Sequence, residues 1–337
     1  MKQTHRLVYM VSVAYTMSLL LSHHNARAGE GVEAIPASAR QAWTASASER
    51  PCASGTVTVE FIRTDGQNLS KTSTTVRKIK STPFAALLEV SSKDTQQRAW
   101  VLCSNSRYAF SISRKDSATE FRLDSYSEDR DKVFSQYLPQ SVREEVSKLL
   151  SITYWAGDMR ASDLLNPREF DIAIVTASPE RAGATRVVFR KTPQAKLEAA
   201  QSGWFDTDPS EAWAITSGEF SRIEDGQPIT YQYRTVIKSV EHNVPIPKER
   251  VVTASVKKND GSSASLFIRT SYDMERCETI SESEFTLSAF GLPEPPGVVW
   301  EKPTPRYIWF LVAAMVFVAI AVGFRYLARR RSTRLPA

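Results

Sequence analysis

A repeated alternation of apolar and polar residues is the feature that most constrains the fold of this chain. Two segments, GTVTVEFIRT and SNSRYAFSISR, place apolar residues at every second position, namely Val57, Val59 and Phe61 in the first and Tyr108, Phe110 and Ile112 in the second. Successive side chains of a strand point to opposite faces of a sheet, so this period of two predicts half-buried β-strands. Turn sequences such as TDGQ separate the segments. The pattern predicts roughly eleven or twelve strands joined by short turns.

Two stretches have a helical pattern instead. LPQSVREEVSKLLSITYW carries Val142, Val146, Leu149 and Leu150 at helical spacing, with charged residues on the opposite side. VEAIPASARQAWTASAS predicts a short N-terminal helix, with Pro36 placed for its first turn. A sheet that buries one face needs a cover, and helices can supply it. We therefore predict a mainly β (α+β) fold, a strongly curved antiparallel half-barrel sheet with covering helices.

The first 28 residues have the layout of a secretory signal peptide. Lys2 and Arg6 precede an apolar run from Leu7 to Leu21, and the small-residue pattern Ala26-Arg27-Ala28 follows. This order predicts export, with cleavage after Ala28. A retained transmembrane helix is the alternative, which the polar SHHN sequence before the cleavage site disfavours.

A second apolar stretch, from Tyr307 to Phe324, lies near the C-terminus. As a helix it would extend over roughly 27 Å, close to the thickness of a bilayer core. We predict a transmembrane helix over residues 307–324, with Tyr307, Trp309 and Phe324 as its anchoring aromatic residues. A basic cluster follows at once and consists of Arg325, Arg329, Arg330, Arg331 and Arg334. By the positive-inside rule this predicts a single-pass protein of the inner (cell) membrane, with residues 29–306 on the periplasmic side and a cytoplasmic C-terminus.

The segment between the β region and this helix begins with FTLSAFGLPEPPG. Phe285, Leu287 and Ala289 alternate with polar residues and predict a last strand. The prolines that follow predict a stiff spacer. A cleaved sorting signal is the alternative, although eleven residues separate Pro295 from Tyr307. The predicted organisation is a signal peptide (1–28), a β domain (29–292), a Pro-rich stalk (293–306), a transmembrane helix (307–324) and a basic cytoplasmic tail (325–337).

The distribution of charge argues against a nucleic-acid partner. The chain has a formal net charge of +6, but three basic residues lie in the predicted signal peptide and five in the predicted tail. The part between Gly29 and Phe324 has 35 basic and 37 acidic residues and is nearly neutral. The arginines of the tail need no partner other than membrane lipids.

Cysteine and histidine residues are too few for most kinds of site. The three cysteines, Cys52, Cys103 and Cys277, form no C-x-x-C pair. One disulfide with one remaining thiol has three pairings, and three buried thiols are the alternative; the sequence does not choose. His242 is the only histidine after residue 28. We therefore predict no metal site and no cofactor.

The usual motifs of catalysis are also missing. No G-x-x-x-x-G-K-[ST], G-x-G-x-x-G or G-x-S-x-G sequence occurs in the chain. His242 would have to serve any Ser-His-Asp site, and nothing near it resembles a nucleophile elbow. The chain is predicted not to be an enzyme.

The order of elements resembles the bacterial lipoprotein-carrier family, the open half-barrel of periplasmic lipoprotein chaperones and of a sigma-factor regulatory protein. SNSRYAFSISR resembles the family strand with a Tyr-x-Phe pair, and GWFDTDPSEAWAI resembles a turn-to-strand piece of its second half. EFTLSAFGLPEP is similar to the end of a group of uncharacterised exported bacterial proteins with a membrane anchor. The resemblance spans about residues 30–296.

This resemblance implies an apolar cavity under the curved sheet that suits acyl chains. The candidate lining residues are Val57, Val59, Phe61, Tyr108, Phe110 and Ile112, with ordinary core packing as the alternative for each of them. The first hypothesis is a membrane-tethered exported binding module that holds a lipid or lipidated partner. Its expected partners are membrane lipids and a lipoprotein or other envelope protein, without nucleic acid or metal. The alternatives are a signalling or scaffold protein that binds another protein and, more weakly, a hydrolase.

Overall fold

The structure is a computed structural model of the 337-residue chain. It describes residues 30–48, 51–65, 68–92, 99–114, 120–131, 141–195, 200–224, 226–257, 263–298 and 306–332. The predicted signal peptide and Arg334 lie outside the described residues. The chain divides into two compact units, Met1–Pro293 and Glu294–Ala337.

The described chain is mostly β, and thirteen strands form one large antiparallel sheet. The strands are β1 (Ala53–Asp65), β2 (Asn68–Ser81), β3 (Ala86–Ser92), β4 (Ala99–Ser104), β5 (Ala109–Arg114), β6 (Arg122–Ser127), β7 (Trp155–Ala156), β8 (Met159–Arg160), β9 (Phe170–Ala177), β10 (Thr185–Lys191), β11 (Ser202–Asp208), β12 (Ala214–Glu224), β13 (Gln227–Glu241), β14 (Val244–Lys257) and β15 (Ser263–Arg276). The short strands β7 and β8 pair only with each other.

The large sheet is open and has the order β6-β5-β4-β3-β2-β1-β15-β14-β13-β12-β11-β10-β9. Each half follows the chain from strand to adjacent strand. The two halves join at the centre, where β1 pairs with β15 from Ala53 opposite Arg276 to Asp65 opposite Ala264. The middle of the sheet therefore depends on contacts between distant parts of the chain.

Four α-helices are described: α1 (Glu30–Glu33), α2 (Ala37–Ser48), α3 (Val142–Leu150) and α4 (Arg306–Ser332). Short 3-10 helices cover Ile152–Tyr154, Asp163–Leu165, Pro209–Glu211, Glu282–Phe285 and Leu287–Phe290. At the start of α3 the Ser141 side chain accepts a hydrogen bond from the Glu144 amide at 3.3 Å, which caps the helix. Val142, Val146 and Leu149 form the buried side of α3, as the helical spacing predicts.

Two apolar cores lie on the same face of the sheet. The first joins α2, the 154–165 segment and strands β9–β13, with Trp43 and Phe205 in edge contact at 5.7 Å between ring centroids. The second joins α3 to strands β1–β4 and β15 through residues such as Val57 and Leu88. The helices thus cover the sheet in two separate places, and the second of these includes the central strands β1 and β15.

The segment that was predicted as the last strand has a different structure. Phe285, Leu287 and Ala289 belong to two consecutive 3-10 helices, and Ala289 is exposed although Phe285 and Leu287 are buried. Thr286 explains the turn, because its hydroxyl donates to the Ser283 carbonyl at 2.8 Å and accepts from the Ala289 amide at 3.3 Å. We name residues 282–290 the C-terminal strap.

The prediction of a C-terminal transmembrane helix is wrong. Among the described residues, no helix combines the length and the apolar character needed to cross a membrane. Helix α4 does not end at Phe324, since it continues to Ser332 and takes in Arg325 and the arginines at 329–331. The apolar stretch and the basic residues up to Arg331 are therefore one element, whereas the sequence pattern predicted two.

This finding corrects two predictions. The fold class, which joined a half-barrel sheet with covering helices to a transmembrane helix, is corrected to a mostly β chain with a large open antiparallel sheet. The predicted location as a single-pass inner-membrane protein, with a cytoplasmic C-terminus, loses its basis in the same way. Tyr307 and Trp309 lie in α4, and Phe324 is exposed there.

Candidate functional site

A cavity of about 370 Å³ lies between the two cores, on the covered face of the sheet. Strands β1, β2 and β12–β15 form one wall, and α3 with residues 152–158 forms the other. Its apolar and aromatic lining consists of Val59, Leu149, Ile152, Phe220, Tyr231, Tyr233, Val252, Ile268 and Tyr272. Its polar lining consists of Arg77, Glu145, Lys148, Asp158, Arg222, Glu224, Arg250 and Thr270.

The strand register explains why these residues share one face. In β13, Tyr231 and Tyr233 are two positions apart, and Tyr233 lies opposite Val252 of β14. Val252 in turn lies opposite Ile268 of β15, and Thr270 lies opposite Val59 of β1. Since every second residue of a strand points to the same side, this register brings them to one wall of the cavity.

Arg250 is a buried cation in this wall. Its Nη1 donates to the Ile152 carbonyl at 2.8 Å and its Nη2 to the Trp155 carbonyl at 3.1 Å. The guanidinium also lies 4.7 Å from the centroid of the Tyr233 ring. Burial lowers the pKa of Arg250. These two hydrogen bonds hold the segment that follows α3 against the sheet. That segment forms one side of the cavity.

Tyr233 brings a polar atom into the aromatic part of the cavity. Its hydroxyl is buried and has no hydrogen-bond partner among the described residues. Burial raises the pKa of Tyr233, so the hydroxyl stays protonated and can donate. Gly218 lies opposite Tyr233 in the register, and a Cβ atom at Gly218 would collide with the Tyr233 hydroxyl. Phe220 and Tyr231 stack with ring centroids 4.8 Å apart.

The charged residues of the lining other than Arg250 are partly exposed and mark the opening of the cavity. Arg77 pairs with Glu145 at 2.8 Å, which joins β2 to α3. On the other side, Arg222 pairs with Asp158 at 2.9 Å and lies 3.6 Å from Glu224. We name these five residues, together with Lys148, the rim.

Two titrating groups at or beside the rim have raised pKa values. Burial raises the pKa of Asp158, against the opposing effect of Arg222. The Tyr231 hydroxyl donates to Glu224 at 2.8 Å, and burial with this contact raises the pKa of Tyr231 to about 12. The Lys148 ammonium lies 4.8 Å from the Trp155 ring centroid. The rim thus offers both signs of charge to a ligand that enters the cavity.

The structure divides the six predicted lining residues between the two faces of the sheet. Val59 lines the cavity, Val57 is buried beside it on the same strand, and Phe61 is partly buried next to the second core. Tyr108, Phe110 and Ile112 are fully buried but face the other way. They pack near the C-terminal strap, where the Leu287 amide donates to the Tyr108 hydroxyl at 3.2 Å.

Most of the cavity lining was missed by the sequence analysis. Phe220, Tyr231, Tyr233 and Tyr272 come from strands late in the chain, and only the Tyr-x-Tyr pair in ITYQYRT could have drawn attention. Arg250 occurs in PKERVV, which reads as a solvated charged sequence. His242 lies in the turn between β13 and β14 and is exposed. Within the described residues, no group of three or more His, Cys, Asp or Glu side chains could hold a metal ion.

Comparisons with known proteins place this chain in no family. No protein-family model matches it. No curated protein matches it either. Eleven solved chains do match, and one belongs to the crystal structure of MucB in complex with MucA(peri). That match has 9% identity and a TM-score of 0.19, over 72% of this chain and 98% of the other. The likeness is distant and supports no statement about the site.

Proposed function

We propose that this chain is a binding module that holds one amphipathic ligand, a lipid or a lipid-modified partner, in the cavity between its two cores. The observation that carries the proposal is an aromatic interior that opens at a charged rim. The cavity volume of about 370 Å³ is near the lower end of the range for small-ligand sites. This favours one acyl chain over several.

The apolar lining supplies the binding energy in this proposal. Each methylene group that moves from water to the interior contributes about 0.8 kcal/mol. The head group would stay at the rim, near Arg77, Lys148 and Arg222. The Tyr233 hydroxyl would donate to an ester carbonyl of the ligand, which would remove the cost of an unpaired buried donor. No covalent step is involved.

The test is a calorimetric titration of the full-length protein with a lysophosphatidylglycerol, at lipid concentrations below the critical micelle concentration of that lipid. Val252→Trp places an indole in the cavity, whereas Val251→Trp places it on the other face of the same strand. We expect Val252→Trp to weaken binding at least tenfold and Val251→Trp to leave it near the wild-type value. Equal binding by the wild type and Val252→Trp would show that the ligand lies elsewhere.

A second candidate is a module that binds an extended peptide of another protein. The edge strands β6 and β9 carry the exposed side chains Leu123 and Ile174. Edge strands have unpaired backbone groups that can accept another strand. This candidate predicts that Val252→Trp leaves partner binding intact, while proline substitutions in β9 abolish it. The two variants therefore distinguish the two candidates.

A further inference from the structure

We propose that Cys52 and Cys277 are the site of a disulfide bond that links the two central strands of the sheet. The two thiols lie 3.7 Å apart, with the Cys52 sulfhydryl directed at the Cys277 sulfur. Both side chains are partly exposed, so a small oxidant can reach them. This inference does not depend on the proposed ligand.

The backbone geometry suits this bond. Cys52 precedes β1 and Cys277 follows β15, and they lie one position beyond the pair Ala53 and Arg276. The Cys277 amide donates to the Cys52 carbonyl at 3.2 Å, which extends the antiparallel ladder to the two cysteines. Opposed residues in such ladders have Cα atoms about 4.5–5.5 Å apart, inside the range of about 4.4–6.8 Å that disulfides need.

The third cysteine is excluded by its place in the sheet. Cys103 lies on β4, which is separated from β1 by β2 and β3. Three strand spacings correspond to roughly 14 Å, more than a disulfide can span. Cys103 is also fully buried, and its thiol donates to the Phe285 carbonyl at 3.3 Å. Of the three pairings that the sequence leaves open, one is compatible with the fold.

The chemistry is thiol–disulfide exchange with a disulfide oxidant such as oxidised glutathione. The thiolate of one cysteine attacks a sulfur of the oxidant, which forms a mixed disulfide and releases one glutathione thiol. The second cysteine then attacks the protein sulfur of that mixed disulfide and releases the other glutathione thiol. The pair loses two electrons and two protons, and the oxidant is reduced to two thiols. Burial and the neighbouring Cys277 raise the pKa of Cys52, so we expect the reaction to accelerate as the pH rises.

The bond would fix the start of the segment that leads to the C-terminal strap. Residues 278–281 connect Cys277 to the strap, whose Phe285 carbonyl also accepts a hydrogen bond from the Asn105 side chain at 2.9 Å. A disulfide at Cys277 would hold this segment beside β1 even when the strap is released. The disulfide would therefore hold the start of β1 and the end of β15 together at the middle of the sheet.

The experiment oxidises the folded full-length protein with glutathione disulfide, blocks the remaining thiols in denaturant and maps the digested peptides by mass spectrometry. We expect one linked peptide that contains Cys52 and Cys277, with Cys103 alkylated. Cys103→Ala should give the same link, and Cys52→Ser should leave a glutathione adduct on Cys277. Oxidation in denaturant should mix the pairings, which shows that the fold selects the pair.

Two results would overturn the proposal. One is a folded wild type in which Cys52 and Cys277 carry separate glutathione adducts or remain alkylated. The other is a link from Cys103 to either residue. Circular dichroism of the Cys52→Ser variant shows whether the glutathione adduct on Cys277 forms on folded protein. If that variant does not fold, the Cys103→Ala variant still tests the proposal.

Discussion

At the scale of single residues, the Tyr233 hydroxyl is the clearest sign that the cavity is built for something other than packing. It is buried and without a hydrogen-bond partner among the described residues. Such a group costs about 1–3 kcal/mol. We expect Tyr233→Phe to leave the free energy of unfolding unchanged or to raise it by about 1 kcal/mol, and to weaken lysophosphatidylglycerol binding. Urea unfolding and calorimetry measure the two effects. A less stable Tyr233→Phe protein would mean that the hydroxyl has a partner in the unliganded state.

Asp158 makes a prediction about pH. Its pKa is raised above the ordinary value of 3.8, mainly by burial, although Arg222 opposes this. The folded state therefore binds the proton more tightly than the unfolded chain does. The stabilising contribution of the protonated group is complete below pH 3.8 and is lost as the pH rises through the raised pKa.

We therefore expect Asp158→Asn to remove this part of the pH dependence. The stability of the Asp158→Asn variant relative to the wild type should improve as the pH rises from 3.8, the ordinary pKa of the carboxyl group, toward neutrality. In this variant Arg222 loses its ion pair with Asp158 but keeps Glu224 as an acidic neighbour at 3.6 Å, so its guanidinium is not left without a carboxylate. Chemical unfolding at a series of pH values gives the difference. A difference that stays constant across this range would contradict the assigned shift.

The alternation of apolar residues predicted which side chains are buried better than it predicted the face of the sheet on which each one lies. Val57, Val59, Tyr108, Phe110 and Ile112 are all buried, as their alternation indicates. Alternation cannot say which face of the sheet receives the cavity, because side chains on both faces are buried. Arg250 could not be predicted, since its burial depends on two carbonyl groups about 95–98 positions away in the chain.

At the scale of elements, Arg250 holds the segment after α3 against the sheet. Its removal leaves the Ile152 and Trp155 carbonyls without their charged donor. We expect Arg250→Met to lower the free energy of unfolding by about 2 kcal/mol, because the relief of a buried charge offsets only part of the lost hydrogen bonds. Arg250→Lys keeps the charge and should recover part of the loss. If urea unfolding finds Arg250→Met as stable as the wild type, the two bonds do not anchor this segment.

The C-terminal strap shows where a short alternation misleads. Three alternating residues predicted a strand, but the hydroxyl of Thr286 favours a turn through its bonds to neighbouring backbone groups. The two structures differ in what they bury. A strand would bury Ala289 with Phe285, whereas the strap buries Phe285 alone of these two.

Substitutions in the strap test this difference. Phe285→Ala should cost about 3–5 kcal/mol, as for other fully buried phenylalanines. Ala289→Ser should change the free energy of unfolding by less than about 0.5 kcal/mol, because the position is exposed. Thermal unfolding of both variants is sufficient. A large cost for Ala289→Ser would restore the strand as the better description.

At the scale of the whole molecule, the sequence predicted a mostly β chain because strand periodicity is local. The order of the strands is not local, since β1 pairs with β15 across most of the chain. The cavity follows from that pairing and from the two separate covers, so its lining could not be predicted from neighbouring residues. The error at the C-terminus has a similar origin. The helix was predicted from the apolar residues 307–324 alone, whereas it continues through the arginines to Ser332.

The central pairing leads to the last prediction, which concerns the stability of the entire β region. A bond between Cys52 and Cys277 joins residues 225 positions apart and so restricts the unfolded chain over about two thirds of its length. We expect the oxidised protein to exceed the reduced protein by about 2–4 kcal/mol in free energy of unfolding. Its dependence on urea should also be shallower, because a cross-linked unfolded chain exposes less surface. Cys103→Ala should show the same difference between oxidised and reduced forms, and Cys52→Ser should show none. Equal stability of the two wild-type forms would mean that the bond strains the folded ladder as much as it restricts the unfolded chain.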